Sequence, residues 1–233
     1  MSNFRFMLLG VIVLAAASMC NANLITNPGF EQTEGTFAYP LQYGDWSGDN
    51  STIVSNSDGI DPYEGSQMLK FRYSGWESRA QTSFSSEIYQ LIDISAYSSL
   101  IASGNAVVKA SAYFNRVAYD NETDTQFHVR IMALTGSPAG FNASSNILDE
   151  ITEYFETDSY LDTWEKGEAE LRLPNNTTYV AICIAADENI YNDISGVEFD
   201  GHYTDSVSLE IVPEPATVVL MLVGGMALLR RKR

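Results

Sequence analysis

At 233 residues and 45% apolar content, the chain is long enough for one sizeable domain and too apolar to be disordered. Its formal net charge of −17, from 30 acids against 13 cations, repels phosphate backbones and excludes nucleic acid as a natural partner. Arg5, Arg230, Arg231, Lys232 and Arg233 all lie in the terminal segments, so the body between them is more acidic still, which favours solubility and attraction of cations.

Residues 1–22 have the order of a secretory signal peptide. Arg5 is the positive n-region, 6–17 are apolar, and Cys20-Asn21-Ala22 is a small-x-Ala cleavage site, so the mature chain is expected to begin at Asn23. The competing readings are a retained N-terminal anchor and lipid attachment at Cys20, which bulky Met19 disfavours. Cleavage after Ala22 leaves Cys183 as the remaining cysteine, so no internal disulfide can form and the body is held by its core or by metal. Cys183 lies in a continuous apolar run and reads as a buried small hydrophobe rather than a nucleophile.

From 23 to 211 Gly, Ser, Asn and Asp punctuate short β-rich runs, and no long helical pattern occurs. Strands are predicted over 24–26, 52–55, 67–73, 80–84, 88–94, 106–115, 126–134, 169–173, 179–185 and 206–212. Alternation puts Leu69, Phe71 and Tyr73 on one face and Lys70 and Arg72 on the other; Val207, Leu209 and Ile211 likewise share a face. Such strands half-bury two sheets in a sandwich. A short helix is expected over 96–102, and 147–155 is readable as either helix or strand. His128 is expected to face solvent on its strand, and His202 to lie in a polar turn.

Residues 216–229 form an uncharged apolar run behind Pro215, followed by Arg230, Arg231, Lys232 and Arg233. Fourteen helical residues span only ~21 Å, short of the ~30 Å hydrocarbon core, so crossing needs thinning or help from the flanks. The competing reading is a buried C-terminal core helix. The lack of an amphipathic face, the cationic end and the secretion signal oppose it, and the four cations read as a stop-transfer flank.

The order Pro213-Glu214-Pro215, short apolar helix, basic end resembles the PEP-CTERM sorting signal of exported bacterial proteins. The resemblance covers 212–233. It implies that an exosortase-type membrane enzyme recognises Pro213, Glu214 and Pro215, that the tail is a transient membrane anchor, and that the protein reaches the cell surface or exopolysaccharide layer. The body, 23–211, resembles the galactose-binding-like jelly rolls that include several carbohydrate-binding module families. The carrying segments are Asn23-Leu24-Ile25-Thr26-Asn27-Pro28-Gly29-Phe30-Glu31, Tyr63-Glu64-Gly65-Ser66-Gln67-Met68-Leu69, Ile88-Tyr89-Gln90-Leu91-Ile92-Asp93-Ile94, Trp164 with the 169–176 strand and turn, and Thr204-Asp205-Ser206-Val207-Ser208-Leu209. The resemblance implies an all-β jelly-roll β-sandwich.

It also implies a structural calcium joining the opening and closing strands, with Glu31 and Asp205 as carboxylate ligands and carbonyls near Gly29 and Ser66 completing the oxygen set. The plainer reading is that Glu31 and Asp205 solvate turns. Asp120-Asn121-Glu122-Thr123-Asp124 imitates the start of an EF-hand loop but has Thr125 and Ile131 where Gly and Glu belong, so it reads as a solvated hairpin loop. For a sugar ligand the candidate stacking rings are Trp46, Tyr73, Trp76 and Tyr119; for each ring taken singly, core packing is the competing reading, and Trp164 is assigned to the core.

No H-E-x-x-H, G-x-S-x-G, P-loop or Rossmann fingerprint is present. Three functions stay open: a non-catalytic polysaccharide-binding module, a structural matrix or adhesion protein with no small ligand, and a glycoside hydrolase or lyase needing converging carboxylates.

Overall fold

A computed structural model describes residues 22–34, 40–73, 84–118, 123–141, 146–158, 160–190 and 199–214. The signal segment up to residue 21, the apolar run 216–229 and the terminal cations lie outside the described residues, as do Trp76, Tyr119, Pro215 and most of the expected 80–84 strand. Among the described residues no helix is long and apolar enough to cross a membrane.

Ten strands follow in chain order: β1 (Trp46–Gly48), β2 (Ser51–Val54), β3 (Met68–Phe71), β4 (Ser85–Asp93), β5 (Ala106–Arg116), β6 (Gln126–Leu134), β7 (Ile147–Glu156), β8 (Glu165–Arg172), β9 (Tyr179–Asp187) and β10 (His202–Pro213). A 3₁₀ turn (Ser95–Tyr97) runs into one short helix, α1 (Ser98–Ala102), between β4 and β5. The strands form two five-stranded antiparallel sheets, ordered β1-β4-β9-β6-β7 and β2-β3-β10-β5-β8. The two sheets face each other as the expected jelly-roll sandwich.

Period-two alternation decides which residues meet between the sheets. Val129 and Ile131 from β6, Ile182 and Ile184 from β9, Leu69 and Phe71 from β3, and Val207, Leu209 and Ile211 from β10 all enter one core. β8 alternates cleanly: Gly167, Ala169 and Leu171 are buried while Lys166, Glu168, Glu170 and Arg172 are exposed. β9 is buried on both faces, because it is the middle strand of its sheet and its outer residues join a second apolar cluster. That explains the unbroken apolar run around Cys183, which is buried and unpaired as expected.

Several expectations are corrected. Residues 147–156 are strand: their apolar spacing also fits a helix, but pairing with β6 along its length imposes the extended form. Residues 24–26 are not a strand, although Leu24 donates its N–H to the Leu209 carbonyl at 2.8 Å. β1, three residues long, left too little pattern to read. Trp164 is only partly buried and packs outside the main core, against Ile60, Met68 and Tyr203. His128 is 3% exposed, shielded by neighbouring strands, and His202 begins β10 fully buried, its Nε2 2.7 Å from the Asp124 carbonyl. Burial lowers the His202 pKa despite the two carbonyls that face its ring.

Candidate functional site

The four residues expected at a calcium ion converge on one corner. The Glu31 carboxylate accepts the Ser66 N–H at 2.7 Å, the Ser66 hydroxyl at 2.6 Å and the Gln67 N–H at 3.0 Å. Gly65, at φ +72°, makes the turn, and any side-chain carbon there would run into the Glu31 carboxylate. Asp205 is fully buried; its oxygens accept N–H groups from Glu64 at 3.0 Å and Ser206 at 2.6 Å. Gly29 lies against both acids: a carbon on its Cα would be 3.6 Å from Asp205 Oδ1 and 4.0 Å from Glu31 Cγ.

Backbone strain is concentrated here. Of the four described non-glycine residues with positive φ, Asn27, Phe30 and Ser206 flank this corner, and β10 is bulged between Asp205 and Ser208. Hydrogen bonds from Ser66 and Gln67 hold Glu31 below its ordinary pKa, whereas burial, helped by the Glu31 charge, pushes Asp205 up to about 6. Gln67 Oε1 and Thr204 Oγ1, each next to a residue of this corner, are buried without hydrogen-bond partners. The donor set is all oxygen, which fits a hard ion such as calcium.

Of the expected stacking rings, Trp46 and Tyr73 are among the described residues, while Trp76 and Tyr119 lie outside them. Trp46 is 1% exposed, packed 5.3 Å from Phe30 and donating its indole N–H to the Asn27 carbonyl at 3.2 Å, so it is a core residue and no sugar can stack on it. Tyr73 is half-buried just beyond β3, with the Arg72 guanidinium 5.5 Å from its ring.

A better-formed face is the outer side of the β1-β4-β9-β6-β7 sheet. Strand register sets its side chains in rows: Glu87, Ala185, His128 and Tyr154; then Tyr89, Cys183, Arg130 and Thr152; then Leu91, Ala181, Met132 and Glu150. In these three rows the middle strand contributes Ala185, Cys183 and Ala181, small side chains fully buried between larger neighbours, with Asp187 and Tyr179 on the same face at its two ends. Tyr154 stands 59% exposed on the rim, its ring 5.3 Å from that of His128. Arg130 pairs with Glu150, and Tyr89 donates its hydroxyl to Glu87. Tyr43, also exposed, lies edge-on to Tyr179 at 6.2 Å at one end. Arg130 Nε and the Tyr179 hydroxyl are buried without hydrogen-bond partners. Composition had not singled out this face, because its residues come from four strands and only the register aligns them.

A shallow depression of about 400 Å³ lies elsewhere, lined by Asp61, Tyr63, Asp162 and Trp164 among others. Its rings are already engaged with each other: Tyr63 stacks on Tyr113 at 3.7 Å, and Trp164 donates its indole N–H to the Asp61 carbonyl at 3.2 Å.

At the C-terminal end, Pro213 is the last residue of β10, paired with Ala106. Glu214 continues that line: its N–H reaches the Asn105 carbonyl at 2.7 Å and its carboxylate lies 3.4 Å from the Arg172 guanidinium.

No protein-family model and no curated protein matches the chain. Solved structures similar to it include a family 61 carbohydrate-binding module in complex with β-1,4-galactotriose, 17% identical, covering 82% of this chain and 99% of that one with a TM-score of 0.47. A family 16 carbohydrate-binding module is 12% identical, over 81% of this chain and 99% of its own, with a TM-score of 0.46. A xylan-binding family 22 module from Paenibacillus barcinonensis is 12% identical, over 83% and 97%, with a TM-score of 0.41.

Proposed function

We propose that the protein binds carbohydrate without transforming it, with a polysaccharide lying along the outer face of the β1-β4-β9-β6-β7 sheet. The observation that carries this reading is the alignment that register produces on this face: an exposed Tyr154 beside the partly exposed Arg130, Glu150 and Glu87. A sugar ring offers C–H groups to an aromatic face and hydroxyls to donors and carboxylates together. Arg130 and Glu150 supply a donor and an acceptor side by side at the surface of this face. A glycan array probed with the purified full chain tests it. Tyr154→Ala and Arg130→Ala are expected to weaken the best-bound glycan at least tenfold, while a silent array, or binding untouched by both changes, would replace this reading by a matrix or adhesion role with no glycan ligand. Release of reducing ends from a bound glycan would instead mark an enzyme.

Calcium belongs to the same proposal as a structural ion, held by Glu31 and Asp205 with carbonyls near Gly29 and Ser66. It would neutralise two carboxylates that the fold brings to one corner. The ends of the chain are read as routing labels: a signal over 1–22, and an exosortase-type recognition element at Pro213, Glu214 and Pro215 ahead of a transient membrane anchor. This reading rests on the sequence. Mass spectrometry of the surface-exposed protein tests it, since a product that still ends at Arg233 would rule out removal of the tail.

A further inference from the structure

We propose that Glu87, His128 and Cys183 form a transition-metal site of the zinc class in the outer face of the β4-β9-β6 strands, away from the proposed calcium corner and on the same sheet face as the proposed glycan site, but not dependent on a glycan binding there. Cys183 Sγ lies 3.7 Å from His128 Nε2, and that nitrogen lies 3.9 Å from Glu87 Oε1. All three ligand atoms fall within 4.8 Å of one another, and among the described residues this is the one such group of three His, Cys, Asp or Glu side chains. Ordinary zinc bond lengths in a tetrahedron place S and N about 3.6 Å apart and N and O about 3.4 Å apart. These two edges therefore need to close by ~0.1 Å and ~0.5 Å, and the third, from Cys183 Sγ to Glu87, lies within 4.8 Å against about 3.6 Å in a tetrahedron.

A second observation points the same way. His128 Nδ1 faces both oxygens of the buried Asp187, at 2.9 and 2.8 Å. A carboxylate on Nδ1 holds the proton there and leaves the Nε2 lone pair free, the arrangement that orients metal-binding histidines. Nε2 is aimed at the thiol and the Glu87 carboxylate. The cysteine is also notable for its position. Ala181 and Ala185 occupy the two neighbouring outward sites of β9, so an alanine-sized side chain fills such a position, and the extra sulfur reaches His128.

The donor set decides the class of ion. Thiolate with imidazole selects zinc or copper over calcium or magnesium, whose oxygen-only preference is met at the other corner. Burial holds the Cys183 thiol protonated in the metal-free protein. Binding replaces the S–H proton by the metal and releases one H⁺, with no change of oxidation state. Three protein ligands leave one position of a tetrahedron for water or a ligand, and Glu87, partly exposed, lies on the open side.

The test uses the full chain carrying Cys20→Ser, so that Cys183 is its only thiol, reduced and held in excess calcium. Zinc alone, then cobalt alone, is added and unbound metal removed by dialysis. One zinc per chain, and a near-ultraviolet thiolate-to-cobalt charge-transfer band, are expected. Cys183→Ala should abolish the band, Glu87→Gln should weaken cobalt binding at least tenfold, and Asp187→Asn should weaken it ~10–100-fold. If a variant fails to fold by circular dichroism, the cobalt spectrum of the Cys20→Ser chain alone decides. Folded protein that retains no zinc, or binds cobalt without the charge-transfer band, overturns the proposal.

Discussion

Gly167→Ala is the sharpest test of how the two sheets close. Gly167 faces inward on β8, and the Phe155 ring from β7 lies flat against it. An added Cβ would meet Phe155 Cε1 first and sit 2.6 Å from its Cζ, whereas carbon atoms in contact prefer ~3.5–4.0 Å. The ring must retreat by more than 1 Å, and on its inner side its centroid is already 5.0 Å from Phe114 and 6.1 Å from Phe127, both fully buried. Overpacking of this kind costs ~1–3 kcal/mol, and the rigid aromatic neighbours place this case toward the upper end, ~2–3 kcal/mol. For a domain of this size that lowers the melting temperature by ~4–12 °C. Calorimetry and urea titration measure it. The reasoning also requires that Phe155→Leu relieve the clash, so the two changes together should be less harmful than their sum by at least ~1 kcal/mol. A Gly167→Ala protein within ~0.5 kcal/mol of wild type, or strictly additive changes, would show that the sheets do not close on this contact.

Calcium should raise the melting temperature: with the weak affinities of extracellular sites, ~10⁻⁴ M, 10 mM ion is ~100 times the dissociation constant and adds ~2.7 kcal/mol, or ~5–10 °C. A chelator should reverse the gain, and Glu31→Gln should abolish it; equal melting with and without the ion would remove calcium from the corner. A separate acid response is expected at Lys70, whose ammonium lies 2.8 Å from both Asp58 and Asp200. Hydrogen bonds from Lys70 and then Tyr203 hold the Asp58 pKa below its ordinary 3.8, so its contribution to stability is complete above that value and fades as pH falls through the lowered one. Lys70→Met should cost ~1 kcal/mol at pH 7 and flatten the loss of stability on acidification below the ordinary Asp pKa; an unchanged acid limb would dismiss the pairing.

The fold was largely legible because alternation is a local signal. β6 was read with its observed ends, and β5, β9 and β10 within a few residues. What failed had a physical cause in each case. His128 looked like a solvent-facing strand residue because the neighbours that bury it come from other strands, and Trp46 looked like a loop ring because three residues of β1 show no period. The ambiguity of 147–156 came from apolar spacing that satisfies two geometries, resolved by a partner strand.

The Glu31–Asp205 corner and the sheet face differ in a way that explains why one was legible and the other was not. The corner is built from short segments with fixed chemistry. Asn27 accepts the Gln32 N–H at 3.0 Å and donates to Glu34, whose other oxygen receives the Trp46 N–H at 2.9 Å. Gln90, buried in β4, presents its amide to the Thr26 backbone at 2.8 and 2.9 Å, as a neighbouring strand would. The side chains of each segment satisfy buried backbone groups close by, and so the segment is recognisable before its partners are known. The sheet face has no such obligation. Tyr154, Arg130, Glu87 and His128 are ordinary strand residues one at a time, and their meaning arises only when register sets β4, β9, β6 and β7 side by side. A one-residue slip of β6 would turn His128 and Arg130 inward and dissolve both the alignment of this face and the His128–Cys183 contact. The chemistry of this face is therefore a property of pairing, and what holds the pairing is the inward set Phe127, Val129, Ile131 and Ala133, which a slip would turn out of the core.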